Sequence, residues 1–324
     1  MTHALAPFIA ASVLAAGALP AHAADYPTKA IRIVVPYASG GSTDALARMV
    51  GEQLGKRLGQ AAIVENKPGA SEQIAITSVT KATPDGYTIL LSTLSGLAVN
   101  PGLYGTKLPY DPLKDLAPVL LAATVPSVVV VHPSVPAKTM AELGSYLKAN
   151  QGKVSYASAG NGTPSHLGME YYKKANGVDP VHVPYKGGAP ALQELMGGQV
   201  QMMMALVPEA MPMVKSGRLR ALAMTSPKRL PAHPEVPTVA ESGGKDFDMT
   251  FWYAFMVPAG TPPEIVGKLN RTIDAILQDK DLRARMAEMS LDVAGGEPAR
   301  VTELIRSDSA RWKKVIDEAG IRAE

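Results

Sequence analysis

The residues best placed to do chemistry in this sequence are hydroxyls and backbone amides rather than acid–base pairs. Residues 36–48 read PYASGGSTDALAR and directly follow the apolar run IRIVV. That order spells the end of a buried strand, a glycine turn and a helix beginning near Ser42 or Thr43. Such a turn points several backbone N–H groups at one spot, with the positive end of a helix dipole behind them. This is the geometry of an anion site, for a phosphate or a carboxylate, unless the turn is purely structural. A second loop, ASAGNGTPSH at 157–166, repeats the logic: a strand, Gly160 and Gly162, then Thr163 or Ser165 placed to cap a helix. Two further loops after predicted strands, STLSG (92–96) and PYKGG (184–188), add small polar residues. Ligands of open α/β sheets bind beyond the carboxyl ends of the strands. With two loops in each half of the chain, a cleft between two lobes is expected.

Other chemistries find little support. GGSTD has neither the G-x-G-x-x-G spacing nor the lysine of a phosphate-binding loop, and YKGG lacks the helix-opening Ser or Thr. The chain has no cysteine, which excludes disulfides, thiolate catalysis and Cys-ligated zinc. Beyond the leader the histidines are His132, His166, His182 and His233, without H-E-x-x-H or a compact carboxylate cluster, so neither a metal nor a cofactor is called for. No G-x-S-x-G is present, and Ser165 and His166, adjacent on a helix, point apart. Asp44 suits the first turn of its helix, where Arg48 can neutralise it at i,i+4. It is expected to be structural, because a carboxylate would repel an anionic ligand. His166 is either a donor to the ligand or a structural histidine, and Lys186 either steers charge or is simply exposed. The methionines of QMMMAL and PEAMPM read as core, with room for an apolar pocket floor.

These loops need a scaffold, and the rhythm of the chain supplies one. Strands are expected at 31–35, 61–67 and 87–93, with helices at 44–59 and 71–82. A second series has strands at 127–133, 154–160, 181–187, 200–206 and 219–226. Its helices are 140–150, from Ser165 to about Lys174, and 189–198. Residues 226–247 are a Pro- and Gly-rich connector, 252–258 another strand, and Thr261 is the expected N-cap of the next helix. Helical material from Lys280 to Ile321 ends the chain. Nearly continuous apolar strands joined by crossover helices indicate α/β architecture with mostly parallel central sheets flanked by helices. The second lobe is inserted into the first: residues 24–125 and 251–324 form one lobe and 126–250 the other. The first 23 residues, without an acid and ending in Ala21-His22-Ala23, read as an export signal cleaved before Ala24, which places the mature chain in the periplasm; a single membrane anchor is the alternative. A net charge of +3 is too small and too scattered for a nucleic-acid partner.

At this point the stretches YPTKAIRIVVPYASGGSTDALAR, ENKPGA, KATPDGYTILL, LPYDPLKDLAPV, VSYASAGNGTPSHL, VHVPYKGGAPALQELMGGQV and SGRLRALAMTS make the chain resemble the Bug family, the extracytoplasmic solute receptors of tripartite tricarboxylate transporters. The resemblance implies a two-lobed type II periplasmic-binding-protein fold that closes over an organic carboxylate (di-, tri- or aromatic) and delivers it to inner-membrane permease subunits, as a monomer and not as an enzyme. A sensor kinase is an alternative recipient. It also implies ligand contacts from Tyr37, Ser39, Gly41, Ser42 and Thr43 in the first loop and from Ser158, Asn161, Thr163, Ser165 and His166 in the opposing one. Ser71, Thr93, Ser95, Tyr185 and Gly187 complete the expected set. Three departures stand out. Ala38-Ser39 replaces a proline pair, Ser71 and Glu72 replace glycines beside the cleft, and Met203-Met204-Ala205 stands where relatives often carry an aspartate that meets a ligand amino group. The missing acid argues against an amino-acid ligand and favours an apolar or aromatic body.

Overall fold

The computed structural model describes residues 26–244 and 249–322. The expected export signal and its cleavage point lie outside the described residues, as does part of the second expected crossover. The chain runs β1 (Ile31–Val35), α1 (Ser42–Leu58), β2 (Ala62–Asn66), α2 (Gln73–Thr80), β3 (Thr88–Thr93), α3 (Asn100–Tyr104) and β4 (Leu116–Val125). It continues through β5 (Ser127–Val131), α4 (Met140–Ala149), β6 (Ser155–Ser158), α5 (Pro164–Asn176), β7 (Val181–Pro184), α6 (Gly188–Met196), β8 (Met202–Leu206), α7 (Val207–Lys215) and β9 (Arg220–Met224). It ends with β10 (Phe251–Pro258), α8 (Pro263–Leu277), α9 (Lys280–Glu288), β11 (Asp292–Val293) and α10 (Ala299–Ala319).

Two sheets result, ordered β11-β4-β10-β3-β1-β2 and β7-β6-β8-β5-β9. In the first, β1 is parallel to β2 and β3, while β10 is antiparallel to β3 and β4. β4 therefore runs with β1, β2 and β3, and only the strands β10 and β11 oppose them. In the second, β6 is parallel to β7 and β8, β5 opposes β8 and β9, and here the single strand β5 breaks the common direction. The fold is thus the expected α/β pair of sheets. Strands β3, β5 and β10 are buried along their whole length, as apolar strands covered on both faces must be. Pro126 alone separates β4 from β5, which lie in different sheets.

Four local readings need correction. β4 escapes a sequence reading because Pro118 sits inside LAPVLLAATV, and proline normally argues against a central strand. Here it pairs with Met256 at a register shift, where the ladder has a gap to hold it. α2 starts at Gln73 rather than Ser71, because Ala70, Ser71 and Glu72 all take left-handed backbone angles and turn the Glu72 side chain inward. Thr261 does not cap α8: its hydroxyl donates to the Pro258 carbonyl, and Pro262 occupies the cap position. Finally, the strand β11 interrupts the helical material near the carboxyl end.

The strand core and a ring stack under the second loop each yield a test. Phe255 is fully buried and faces Leu91 and Leu120 on the neighbouring strands. Phe255→Ala should cost about 3–5 kcal/mol in urea unfolding, and a loss under about 1 kcal/mol would show that this strand does not carry the core. His182 is stacked between Tyr156 and His166, with ring centroids 4.8 and 4.3 Å away. Burial pushes His166 down to about 4 and His182 down to about 3, so both rings are neutral at pH 7. The unfolded chain protonates them from about pH 6.5 downward and the folded chain resists until about pH 4. Their contribution is therefore complete above pH 6.5 and lost as pH falls through that window. His166→Gln should make unfolding free energy measurably less steep in pH between 6.5 and 4, whereas an unchanged slope would refute the linkage.

Candidate functional site

The first loop is built around Asp44. Its carboxylate accepts hydrogen bonds from the Gly40 N–H (3.1 Å), Arg48 Nε (2.9 Å) and Asn66 Nδ2 (3.0 Å). Burial by itself would raise this carboxyl group. Arg48, Asn66 and the Gly40 amide outweigh burial and hold it below the usual carboxylate range. Asp44 thus fixes the turn rather than facing the cleft, as expected. Gly40 takes φ +92°, a value that favours glycine, and the loop then presents the start of α1.

The second loop is held by its own hydroxyls. Ser158 Oγ lies 2.6 Å from His182 Nε2 and accepts the Gly160 N–H (3.2 Å). Ser165 Oγ accepts the Ala159 N–H (2.9 Å), and the Thr163 hydroxyl donates to the Gly160 carbonyl (2.5 Å). Thr163 occupies the cap position of α5 without capping it through its side chain, and Ser165 is likewise turned back to the loop. His166 Nδ1 accepts the Gly162 N–H (3.1 Å), so the ring lies behind the loop.

Between these loops is a cavity with about 460 Å³ of atom-free space, part of it open to solvent. The starts of α1 (Gly41, Thr43), α5 (Thr163, Pro164, Ser165), α6 (Gly188) and α7 (Leu206, Glu209) all reach its wall. In none of those four helices does the N-cap residue cap through its own side chain, and the first amide of α7, at Val207, goes to the Pro126 carbonyl. Their first-turn amides have no intrahelical acceptor, and each dipole adds positive potential. Met203, Met204 and Phe251 supply an apolar floor, as the methionine run suggested. A second, outer cavity is lined by Ser71, Glu72, Tyr104, Asn161, Tyr185 and Lys186, and Tyr37 and Ala159 stand between the two. The lobes touch beside it, where the Ala38 N–H donates to the Lys186 carbonyl (3.3 Å) and the backbone of Gly187 packs against Tyr37.

The expected residues divide accordingly. Tyr37, Gly41, Thr43, Thr163 and Ser165 line the inner cavity, and Tyr37, Ser71, Asn161 and Tyr185 the outer one. Ser39 is exposed and lines neither, because the turn at Gly40 carries it outward. Thr93, Ser95, Ser158 and His166 are buried behind the walls. Glu72 explains Thr93: its carboxylate accepts the hydroxyls of Tyr37 (2.7 Å), Ser92 (2.7 Å) and Thr93. Burial pushes the Glu72 carboxyl group up, and those bonds oppose the shift. This replacement of a glycine therefore serves as a buried anchor for Tyr37.

The expectation of a pocket without an acid does not hold. Glu209 reaches the inner cavity from α7, and its Oε1 accepts both the backbone N–H and the hydroxyl of Ser42, each at 2.8 Å. Ser42 Oγ also lies 2.8 Å from the Tyr253 hydroxyl. Room for the carboxylate comes from two glycines: a Cβ at Gly188 would overlap Oε2, and one at Gly41 would come within 3.1 Å of Oε1. Burial raises this carboxyl group, with the Ser42 donors pulling the other way. Sequence reading missed α7 because Pro208 and Pro212 look like breakers. Proline followed by an acid is nevertheless a helix-start signal, and here it was the informative one.

Comparison with known proteins agrees with this architecture. Residues 46–321 match the model of the tripartite tricarboxylate transporter family receptor. The structure described as R. palustris Rpa4515 with adipate is 36% identical, with TM-score 0.89 over 92% of this chain and 99% of that one. The periplasmic binding protein BugD is 36% identical, with TM-score 0.88 and coverage of 92% and 100%. MatC (Rpa3494) from Rhodopseudomonas palustris with bound malate is 33% identical, with TM-score 0.86 and coverage of 90% and 100%. These neighbours are solute-binding proteins rather than enzymes, and two of them hold carboxylates. The chain belongs to the family of tripartite tricarboxylate transporter receptors.

Proposed function

We propose that this protein is a periplasmic receptor that captures a small organic carboxylate between its lobes and delivers it to the permease subunits of a tripartite transporter. The observation that carries the reading is the convergence of helix starts from both lobes on one cavity, with first-turn residues of α1, α5 and α6 at its wall. A carboxylate satisfies such amides without a fixed counter-cation, through charge-assisted hydrogen bonds. Adipate and malate in similar proteins support the same ligand class. Sheet membership supports lobes of 24–125 with 251–324, and of 126–250. The residues proposed to meet ligand are Thr43, Thr163 and Ser165 at the inner wall, with Tyr37, Asn161 and Tyr185 at the entrance. Processing after Ala23 would release the receptor into the periplasm. Because the ligand would touch both lobes, it stabilises their closed arrangement, and free energy of binding appears as resistance to unfolding.

A thermal-shift panel of mono-, di-, tri- and aromatic carboxylates, run on protein freed of carried-over ligand, should identify at least one that raises Tm. At 100-fold excess over Kd the stabilisation should approach about 2.7 kcal/mol. No response across the panel would overturn the ligand class. Thr163→Val removes the hydroxyl that ties the second loop to Gly160 and should weaken the best ligand about 10-fold. Unchanged affinity would remove Thr163 from the site.

A further inference from the structure

The carboxylate of Glu209 stands where the first lobe would be expected to receive a ligand carboxylate. Its Oε1 is committed to the Ser42 amide and hydroxyl. Its Oε2 accepts no hydrogen bond from any described residue and lies over the Cα of Gly188, at the cavity wall. The surroundings are Met203, Met204, Leu206 and Phe251, which screen charge poorly. A second anion at this end would face the Glu209 charge at contact distance. A nitrogen donor would instead find an open acceptor. At the same cavity Ser165, second in α5 and therefore without an intrahelical acceptor, offers a first-turn amide.

We propose that Glu209 sets the ligand class: the cargo is a carboxylate that also carries an amino or other N–H donor group. Its carboxylate lies against the first-turn amide of α5 at Ser165, and its nitrogen donates to Glu209 Oε2. This inference rests on the carboxylate-receptor reading and narrows it. It also reverses the expectation drawn from the methionine run, since the acid absent at Met203–Ala205 is supplied from α7 instead. Gly41 and Gly188 belong to the same device, because any side chain there would displace the carboxylate.

The test is calorimetric titration of ligand-free protein with matched pairs. Straight-chain C4–C6 diacids and plain monoacids are compared with α-amino and ω-amino acids of the same lengths. An amino-bearing member should bind best. Glu209→Gln should weaken it at least about 10-fold, the worth of a hydrogen bond to a charged group, while Glu209→Asp, which keeps the charge, recovers part of the loss. Circular dichroism and the urea-unfolding midpoint of ligand-free Glu209→Gln show that the variant folds, and a loss confined to the amino-bearing member, with the amino-free monoacid bound no more weakly than before, separates the nitrogen contact from general damage. The inference is overturned if the amino group makes no difference. It is equally overturned if diacids bind best and Glu209→Gln tightens them, which would make Glu209 a plug that the ligand displaces. Failure of every carboxylate, with or without nitrogen, would sink the receptor reading and the inference with it.

Discussion

A backbone N–H at the start of a helix has no acceptor inside the helix, and something must meet it. Every strand–turn–helix unit in this fold creates that demand at the carboxyl end of its strand, and for the strands that share a direction those ends lie along one edge of the sheet. Away from the cavity the demand is met locally: Thr139 accepts the Glu142 amide at the start of α4, and Asp279 accepts two amides at the start of α9. Around the cavity the N-cap side chains do not meet it, and the Ser42 amide is instead taken by Glu209 from the other lobe. The hydroxyls that could have capped α5 are turned back to brace their own loop. First-turn amides of α1, α5 and α6 are thereby left at the cavity wall, while the first amide of α7 goes to the Pro126 carbonyl. The glycines at 41 and 188 make room for the Glu209 carboxylate at the starts of two of those helices.

Two acids reached this region, and their circumstances differ. Glu72 is completely buried, with three hydroxyls and the Thr93 amide on its two oxygens. A carboxylate so enclosed is a structural element, holding the ring of Tyr37 between two cavities at the cost of three successive left-handed residues. Glu209 is half-buried, and one of its oxygens accepts from none of the described residues. An acceptor left open beside apolar walls is costly unless something else occupies it. Both carboxyl groups are raised by burial, so the electrostatics alone do not separate them. The distribution of donors does.

Much of this was legible from the chain. Runs such as IRIVV, TILLST and SVVVV announced buried strands, and the glycine turns behind them announced helix starts, because both depend on neighbouring residues. What stayed hidden depended on contacts across long separations. Pro118 concealed β4 because its tolerance comes from a gap in the ladder opposite Met256. Glu209 is 167 residues from Ser42, and no local pattern relates them. The loops likewise gave the right neighbourhood but not the direction of each side chain. Ser39 and His166 flank the turn residues that do line the cavity, yet one faces solvent and the other a histidine stack.

The strand β10 brings the chain back from the second sheet into the middle of the first. Phe251 at its start lines the inner cavity, Trp252 ties it to Asp308 on α10, and Tyr253 touches the Ser42 hydroxyl that holds Glu209. Joint and floor are thus the same few residues. A substitution at these positions therefore changes the lining of the cavity and the join between the two sheets at once, and neither can drift without the other.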